Sequence, residues 1–580
     1  MKPIIYQVFT RLFGNKNTTC KENGSYEENG CGKMNDFDEK TLNHIKEMGV
    51  THVWYTGIIR HASQTDYSSY GIPTQHVEVV KGKAGSPYAI TDYYDIDPDL
   101  AVDVDKRMEE FEALIQRTHK AGLKVIMDFV PNHVAREYHS VCKPKGVKDL
   151  GELDDTTKHF DPQNNFYYLW GKPLDLTNVA PASTQNYELS EKSINPQPIL
   201  PPLGGIRGGL GGSPYTEKPA KATGNDQFSN HPNQNDWYET VKLNYGIDYC
   251  DAGGRSEHFY PIPDTWHKMT DILLFWARKG IDGFRCDMAE MVPAAFWHWA
   301  TDKVKFAYPD IKFIGEVYNP AEYRNYIHAG FDWLYDKVGM YDCIRDVICG
   351  RRRTGDITYK WQETDDIREH MLYFLENHDE QRIASDFFAG EGIKAVPGLI
   401  VSVLMQTNPF MLYAGEEFGE RGMDKEGFSG KDGRTTIFDY WCVDSIRRGF
   451  FDRKQMTAEA KQLEGLYKYV LNLANAEKAL REGDFFDLMY MNQHIADKQY
   501  AFMRQADNEN MLIIVNFAGE PVTCDIVIPQ HAIDNFGIQK RDYEVLDFLS
   551  NERFQTGVYG EHAIKIDIAP YAARIFKMKL

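Results

Sequence analysis

In the run Gly283-Phe-Arg285-Cys-Asp287, side chains two apart share one face of a strand, so Arg285 and Asp287 point one way and Phe284 and Cys286 the other. An arginine and a carboxylate buried at the end of an apolar strand are costly to desolvate, which favours a working site over a structural ion pair. Cys286, on the opposite face, reads as a small core residue. Three other apolar runs end in the same polar manner: Asp128 to His133, Glu316 after Ile314-Gly315, and Glu376-Asn377-His378-Asp379. Taken singly, Glu316 reads equally as a helix cap, His378 as a core histidine and Asp379 as a loop cap. Taken together they bring carboxylates from three strand ends to one place. Two carboxylates flanking a bond are what glycoside cleavage requires, one to attack or to activate water, the other to protonate the leaving oxygen.

Elements of one kind must position these groups. An amphipathic helix, a glycine and a short apolar strand recur as Leu42 to Met48, Gly49 and Val50 to Thr56; around Phe111 and Ile115, Gly122 and Leu123 to Val130; and as Ile272 to Lys279, Gly280 and Ile281 to Asp287. Gly330 precedes a fourth strand, Phe331 to Tyr335. With Pro3 to Phe9, Ile311 to Gly315, Met371 to Leu375 and Pro409 to Tyr413, the strands number eight. Eight strands alternating with helices predict a closed (β/α)8 barrel, an α/β fold whose site lies at the strand C-terminal ends. Between the third strand and the helix near Thr265 lies an Asn-, Pro- and Gly-rich insertion too long for a plain loop, read as a separate subdomain. Its glycines Gly204, Gly205, Gly208, Gly209, Gly211 and Gly212 follow no apolar strand and precede no Lys-Ser/Thr, so they read as a loop, not a nucleotide cradle. After a helix around Ala458 to Leu480, short alternating segments such as Met511 to Asn516 and Ala572 to Met578 predict a C-terminal all-β domain.

The composition excludes several classes. Net charge is −20 with no basic cluster, which argues against nucleic acid, and no apolar run is long enough to span a membrane. The nine cysteines are scattered without a Cys-x-x-Cys pair and read as reduced thiols. Met1 runs directly into a strand-like stretch, so the chain as written is expected in the cytoplasm, or outside the cell if a leader preceded it.

The motifs Asp128-Phe-Val-Pro-Asn132-His133, Gly283-Phe-Arg285-Cys-Asp287, Gly315-Glu316-Val317 and Glu376-Asn377-His378-Asp379 resemble, in order and spacing, four sequence regions of the α-amylase family, glycoside hydrolase family thirteen. Ser86-Pro87-Tyr88 with Asp92, Gly415-Glu-Glu-Phe-Gly419, Gly433-Arg-Thr and the closing Pro570-Tyr571 to Phe576 extend the likeness over nearly the whole chain. The resemblance implies a barrel in two parts (1–133 and 256–482), an inserted domain B (134–255) and a C-terminal β-sandwich (483–580). It implies Asp287 as nucleophile, Glu316 as general acid/base and Asp379 as the carboxylate that steadies the transition state. Arg285 would orient Asp287 and keep it ionised. His133 and His378 would hydrogen-bond the sugar, Tyr88 would stack under it, and Asp128 and Asn132 would support the site. The implied reaction is double displacement with retention on α-glucosidic, mainly α-1,4, bonds of maltooligosaccharides, dextrins or cyclodextrins, with the two carboxyl groups about 5 to 5.5 Å apart. Transglycosylation by the same residues, or a non-catalytic glucan-binding role, are the alternatives. No cofactor is needed for this chemistry.

Two departures from the family pattern stand out. Many α-amylases carry a Lys-His pair three and four residues after the nucleophile, and the cyclodextrinase and neopullulanase branch usually has Ala-Asn-Glu in that stretch; here Ala289 is followed by Glu290 and Met291. The family's calcium site uses the Asn matching Asn132 and an Asp that aligns with Lys242, and an ammonium cannot ligate calcium. Either Lys242 supplies the cation in place of the metal, or it is an ordinary surface lysine. The loop with Asn15, Asn17, Asn35 and Asp36 is a second place for a structural ion, though Asn-rich turns are ordinarily only turns.

Overall fold

The computed structural model describes residues 1–179, 214–560 and 562–579. The glycines of the insertion, Gly204 to Gly212, lie outside the described residues. Eight parallel strands close into a barrel: β1 Ile4–Phe9, β2 His52–Thr56, β3 Lys124–Phe129, β4 Gly283–Cys286, β5 Lys312–Gly315, β6 Trp333–Tyr335, β7 Met371–Phe374 and β8 Phe410–Tyr413. They pair in chain order, and β8 closes onto β1 with Phe410 opposite Ile4. Every strand expected from the sequence is present.

Parallel strands covered on both faces need apolar residues on both, and β1 is buried throughout. Ile5, Trp54, Ile126, Ile314, Leu372 and Met411 point inward and fill the barrel. Their sequence neighbours, such as Ile4, Val53, Val125 and Met127, face the surrounding helices. The helix Arg107–Lys120 shows why those helices dock: Phe111, Leu114, Ile115 and Thr118 recur at helical spacing and are its buried residues. Helices end at glycines with positive φ, as at Gly280 (φ 94°) and Gly330 (φ 105°), a conformation a Cβ would disfavour. Cys286 lies in the layer between barrel and helices, and all nine cysteines are free thiols.

Among its described residues, the segment between β3 and the helix Asp264–Arg278 holds short strands. His133–Ala135 pairs antiparallel with Thr240–Lys242, which sets Lys242 opposite His133. Beyond the barrel, the expected helix near 458–480 is two helices, Ala458–Ala476 and Lys478–Glu482, separated at Glu477, whose backbone is extended. The C-terminal region forms a six-stranded sheet and a two-stranded one whose inward residues, Ile526, Ile564, Val545 and Ile513 among them, share one core. It also holds the short helix Gln530–Asn535.

The C-terminal sheet is fastened to the barrel by polar groups as well as apolar ones. Arg504, fully buried on the strand Gln499–Ala506, donates to the carbonyls of Leu404, Leu480 and Gly483 at 2.8, 3.2 and 2.8 Å. Leu404 ends the barrel helix Val396–Leu404, whose last carbonyls have no partner within the helix. Lys2 reaches the same end from below, donating to Val403 and, at 2.9 Å, to Gln406. Among the described residues no helix is long and apolar enough to cross a membrane.

Candidate active site

Asp128, Arg285, Asp287, Glu316, His378 and Asp379 meet at the C-terminal rim of the barrel. Register puts Arg285 of β4 directly opposite Asp128 of β3 and Ile314 of β5. Asp287, one residue beyond β4, is held by its backbone amide on Phe129 O at 2.9 Å, and Glu316, one residue beyond β5, by its amide on Cys286 O at 3.2 Å. The strand ends therefore fix where both carboxylates start.

Arg285 is the centre of the arrangement and is fully buried. Its Nη1 donates to Asp287 Oδ1 and its Nη2 to Glu316 Oε2, both at 2.8 Å, so one planar guanidinium spans the two carboxylates. Nε donates to Tyr335 Oη at 3.3 Å, and the guanidinium carbon lies 5.2 to 5.6 Å from the ring centres of Trp54, Tyr88 and Tyr335. This aromatic surround stabilises the cation and excludes water. Asp128 accepts from Trp54 Nε1 and the Gly57 amide at 3.1 and 3.2 Å, with Oδ1 3.6 Å from Arg285, which fits a supporting role.

Burial pushes the Asp287 carboxyl well up; Arg285 opposes this, and the charges of Glu316 and Asp379 add to it. The guanidinium that would keep Asp287 ionised is divided between two carboxylates, and it opposes the upward shift that burial imposes.

Both oxygens of Glu316 meet donors. Oε2 accepts from Arg285 and from the Met288 amide, the latter at 2.8 Å, and Oε1 accepts the Tyr318 hydroxyl. Met288 pays for this with a left-handed backbone, φ 45°, rare for a side-chain-bearing residue and characteristic of functional sites.

Asp379 is set by Asn377, whose Oδ1 accepts the amides of Asp379 and Glu380 at 2.8 and 2.9 Å. His378 has Gln7 Nε2 on its Nδ1 side at 2.7 Å, and Tyr88 Oη and Asp379 Oδ2 on its Nε2 side at 2.5 and 3.0 Å. Burial pushes the Asp379 carboxyl up, but His378, Arg285 and Arg434 outweigh it and hold it down to about 2. Its side chain is 41% exposed, against 8% for Asp287 and 4% for Glu316, so it is the carboxylate that opens onto solvent. Glu376 is apart from the others, buried against Arg382 at 2.8 Å. A cavity of 300 Å³ opens beside His378 and Asp379, walled by Trp237 from the inserted segment, Lys81, Phe428, Phe438 and Arg434.

His133 is buried against Trp237, and burial, then the charges of Lys242 and Lys81, lower it to about 3. Asn132 Nδ2 donates to Gly224 O at 2.7 Å, and its Oδ1 accepts Lys242 Nζ at 2.8 Å. Lys242 is 2% exposed and also pairs with Asp226 at 2.6 Å. It is thus no surface lysine, and an ammonium fills the position where Asn132 would meet a divalent cation, so the donor set does not fit calcium there. In the Asn-rich loop, Asn15 spends its amide on the carbonyls of Asn29, Gly30 and Trp441, and Asp36 pairs with Lys16. Those groups serve the turn.

Sequence reasoning missed Gln7, Trp54, Tyr318 and Tyr335. Gln7 alone left a signal, as a polar side chain on the inward face of an otherwise apolar strand.

A parallel barrel with three carboxylates and an arginine at its C-terminal rim is the architecture of an α-amylase-type glycoside hydrolase. The family model for the α-amylase catalytic domain matches residues 7–191 and 259–484, and the chain belongs to that family. It is 22% identical to neopullulanase 2 of Thermoactinomyces vulgaris over 99% of this chain and 77% of that one. It is likewise 22% identical to a cyclomaltodextrinase of a Bacillus species, over 90% of this chain and 74% of that one. Among solved structures, a maltogenic α-amylase, AmyB, from Thermotoga neapolitana shares the fold with a TM-score of 0.61 at 18% identity, covering 100% of this chain and 99% of that one.

Proposed function

We propose that this enzyme cleaves α-glucosidic, mainly α-1,4, bonds in maltooligosaccharides, dextrins or cyclodextrins, with retention, by double displacement. The observation that carries the reading is the single guanidinium of Arg285 shared by Asp287 and Glu316. Carboxyl groups bound to the two ends of one guanidinium lie close together, the spacing suited to a carboxylate nucleophile and not to an intervening water.

In this reading, Asp287 attacks the anomeric carbon while Glu316 gives its proton to the glycosidic oxygen, and the sugar–oxygen bond breaks. A glycosyl ester on Asp287 results. Glu316, now a carboxylate, takes a proton from water, which attacks the ester carbon and frees Asp287. The charge that develops on the sugar ring faces Asp379, which, against its burial, His378, Arg285 and Arg434 hold down to about 2. Tyr88, His133 and His378 bind and orient the ring. Lys242 holds the inserted segment to the barrel through Asn132 without a metal.

The test follows a defined maltooligosaccharide with the unmutated chain and with Asp287→Asn, reading product lengths by chromatography and the anomer by NMR. Short α-anomeric products from the unmutated chain alone support the reading. β-Anomers overturn retention, products longer than the substrate mark transfer to sugar, and no products from either chain leave glucan binding as the role.

A further inference from the structure

Glu290, the residue that replaces the family's usual side chain after the nucleophile, is not idle. Its Oε2 accepts the backbone amides of Tyr318 and Asn319 at 2.7 and 3.0 Å, its own amide donates to Glu316 O at 3.3 Å, and its carbonyl accepts Tyr326 Oη at 3.0 Å. One residue of the loop after β4 thereby clasps the loop after β5 from Glu316 to Asn319. The clasp has a product. Tyr318, its ring against the cluster that fills the barrel, aims its hydroxyl at Glu316 Oε1.

The two oxygens of Glu316 are not equivalent. Oε2 faces two N–H donors, Arg285 and Met288, and cannot take a proton without losing one of them. The proton that Glu316 carries therefore belongs on Oε1, beside Tyr318. We propose that Tyr318, clasped by Glu290, is the positioning residue that sets Glu316 for proton transfer, an inference that rests on the double-displacement reading above. As the Oε1 proton passes to the glycosidic oxygen and the sugar–oxygen bond breaks, negative charge grows on Oε1. The Tyr318 hydroxyl, already in place, donates to it and keeps its own proton. A hydrogen bond to an oxygen that becomes charged strengthens along the reaction, so it lowers the barrier more than it stabilises the resting enzyme.

A leaving group that needs no proton isolates this role. The purified full chain, Tyr318→Phe and Glu290→Ala are compared by kcat/KM, which reports the first bond cleavage, on a maltooligosaccharide and on α-maltosyl fluoride, whose fluoride departs unassisted. Glu316→Gln serves as the reference for complete loss of the acid. The expected result is a loss of about tenfold or more for Tyr318→Phe on the oligosaccharide and less than about twofold on the fluoride. Glu290→Ala should give the same split, and the double variant should lose less than the product of the two, because both act through one carboxyl. Equal losses on both substrates, or no loss on the oligosaccharide, overturn the proposal and leave Tyr318 as part of the wall. If the unmutated chain cleaves neither substrate, it is the double-displacement reading that fails; if Glu316→Gln itself shows no split, the assignment of Glu316 fails, and in both cases the role of Tyr318 falls with it.

Discussion

Lys242 Nζ donates to Asn132 Oδ1 at 2.8 Å across the junction between the inserted segment and the barrel, where a divalent cation would need an oxygen in place of the ammonium. Activity and melting temperature are accordingly expected to be insensitive to EDTA. Lys242→Met should lower stability by about 2 kcal/mol, since it leaves Asn132 and Asp226 without their shared donor. Thermal unfolding with and without chelator measures both. A large loss with EDTA that calcium restores would refute the arrangement.

Arg285→Lys keeps the charge and loses the bridge, because an ammonium cannot donate in parallel to Asp287 and Glu316 from two fixed points. The expected cost is about 100-fold in kcat, about 2.7 kcal/mol of transition-state stabilisation, with KM changing far less. Steady-state kinetics on a single maltooligosaccharide decide it; an unaltered kcat would mean that charge alone suffices.

Asp379 is held down to about 2, so it stays ionised from pH 4 to 8. Asp379→Asn should therefore lower kcat by one nearly constant factor across that range, on the order of 100-fold or more. If the gap between the two enzymes closes as pH falls from 6 to 4, the carboxyl is gaining a proton in that window and the low value is wrong.

His133, lowered to about 3, should remain neutral wherever the enzyme is folded. In the unfolded chain a histidine titrates near 6.5. Between about pH 6.5 and 3 the unfolded chain thus binds a proton that the folded one does not, and stability falls as pH drops through that window, by about 2 kcal/mol at pH 5. Histidine-selective NMR should show a ring that does not titrate above pH 5. His133→Gln should remove this share of the pH dependence of unfolding.

The barrel was legible because each βα unit carries its own local marks: apolar spacing on the helix, a glycine at its end, and a short apolar strand with a polar tip. Asp128, Arg285, Asp287 and Glu316 were legible for the same reason, since they sit within one residue of those strand ends, and Asp379 closes the polar tip five residues beyond β7. Tyr318 was not. Its hydroxyl meets Glu316 only because Glu290, on another loop, fixes the backbone between them, and no spacing encodes a contact made through a third residue. The divided role of Arg285 was hidden likewise, because Arg285 and Glu316 lie 31 positions apart in sequence, while the register of β4 against β5 makes them neighbours. In the C-terminal region the alternation announced strands, as in Met511 to Asn516 and Ala572 to Met578, but not that Ala563–Ile568 leaves the larger sheet to pair with Val522–Val527.

Arg504 carries a consequence for how the chain can be divided. Its guanidinium, supplied by the C-terminal sheet, is the donor for the Leu404 carbonyl at the end of a barrel helix and for the two carbonyls at Leu480 and Gly483 that lead into the sheet. A catalytic half cut off after residue 483 would keep every carboxylate of the site and yet lose the cation that quenches these carbonyls, exposing the apolar side of the helix with it. The barrel and the C-terminal sheet are thus expected to unfold together, and an excised barrel to be insoluble though its carboxylates are complete.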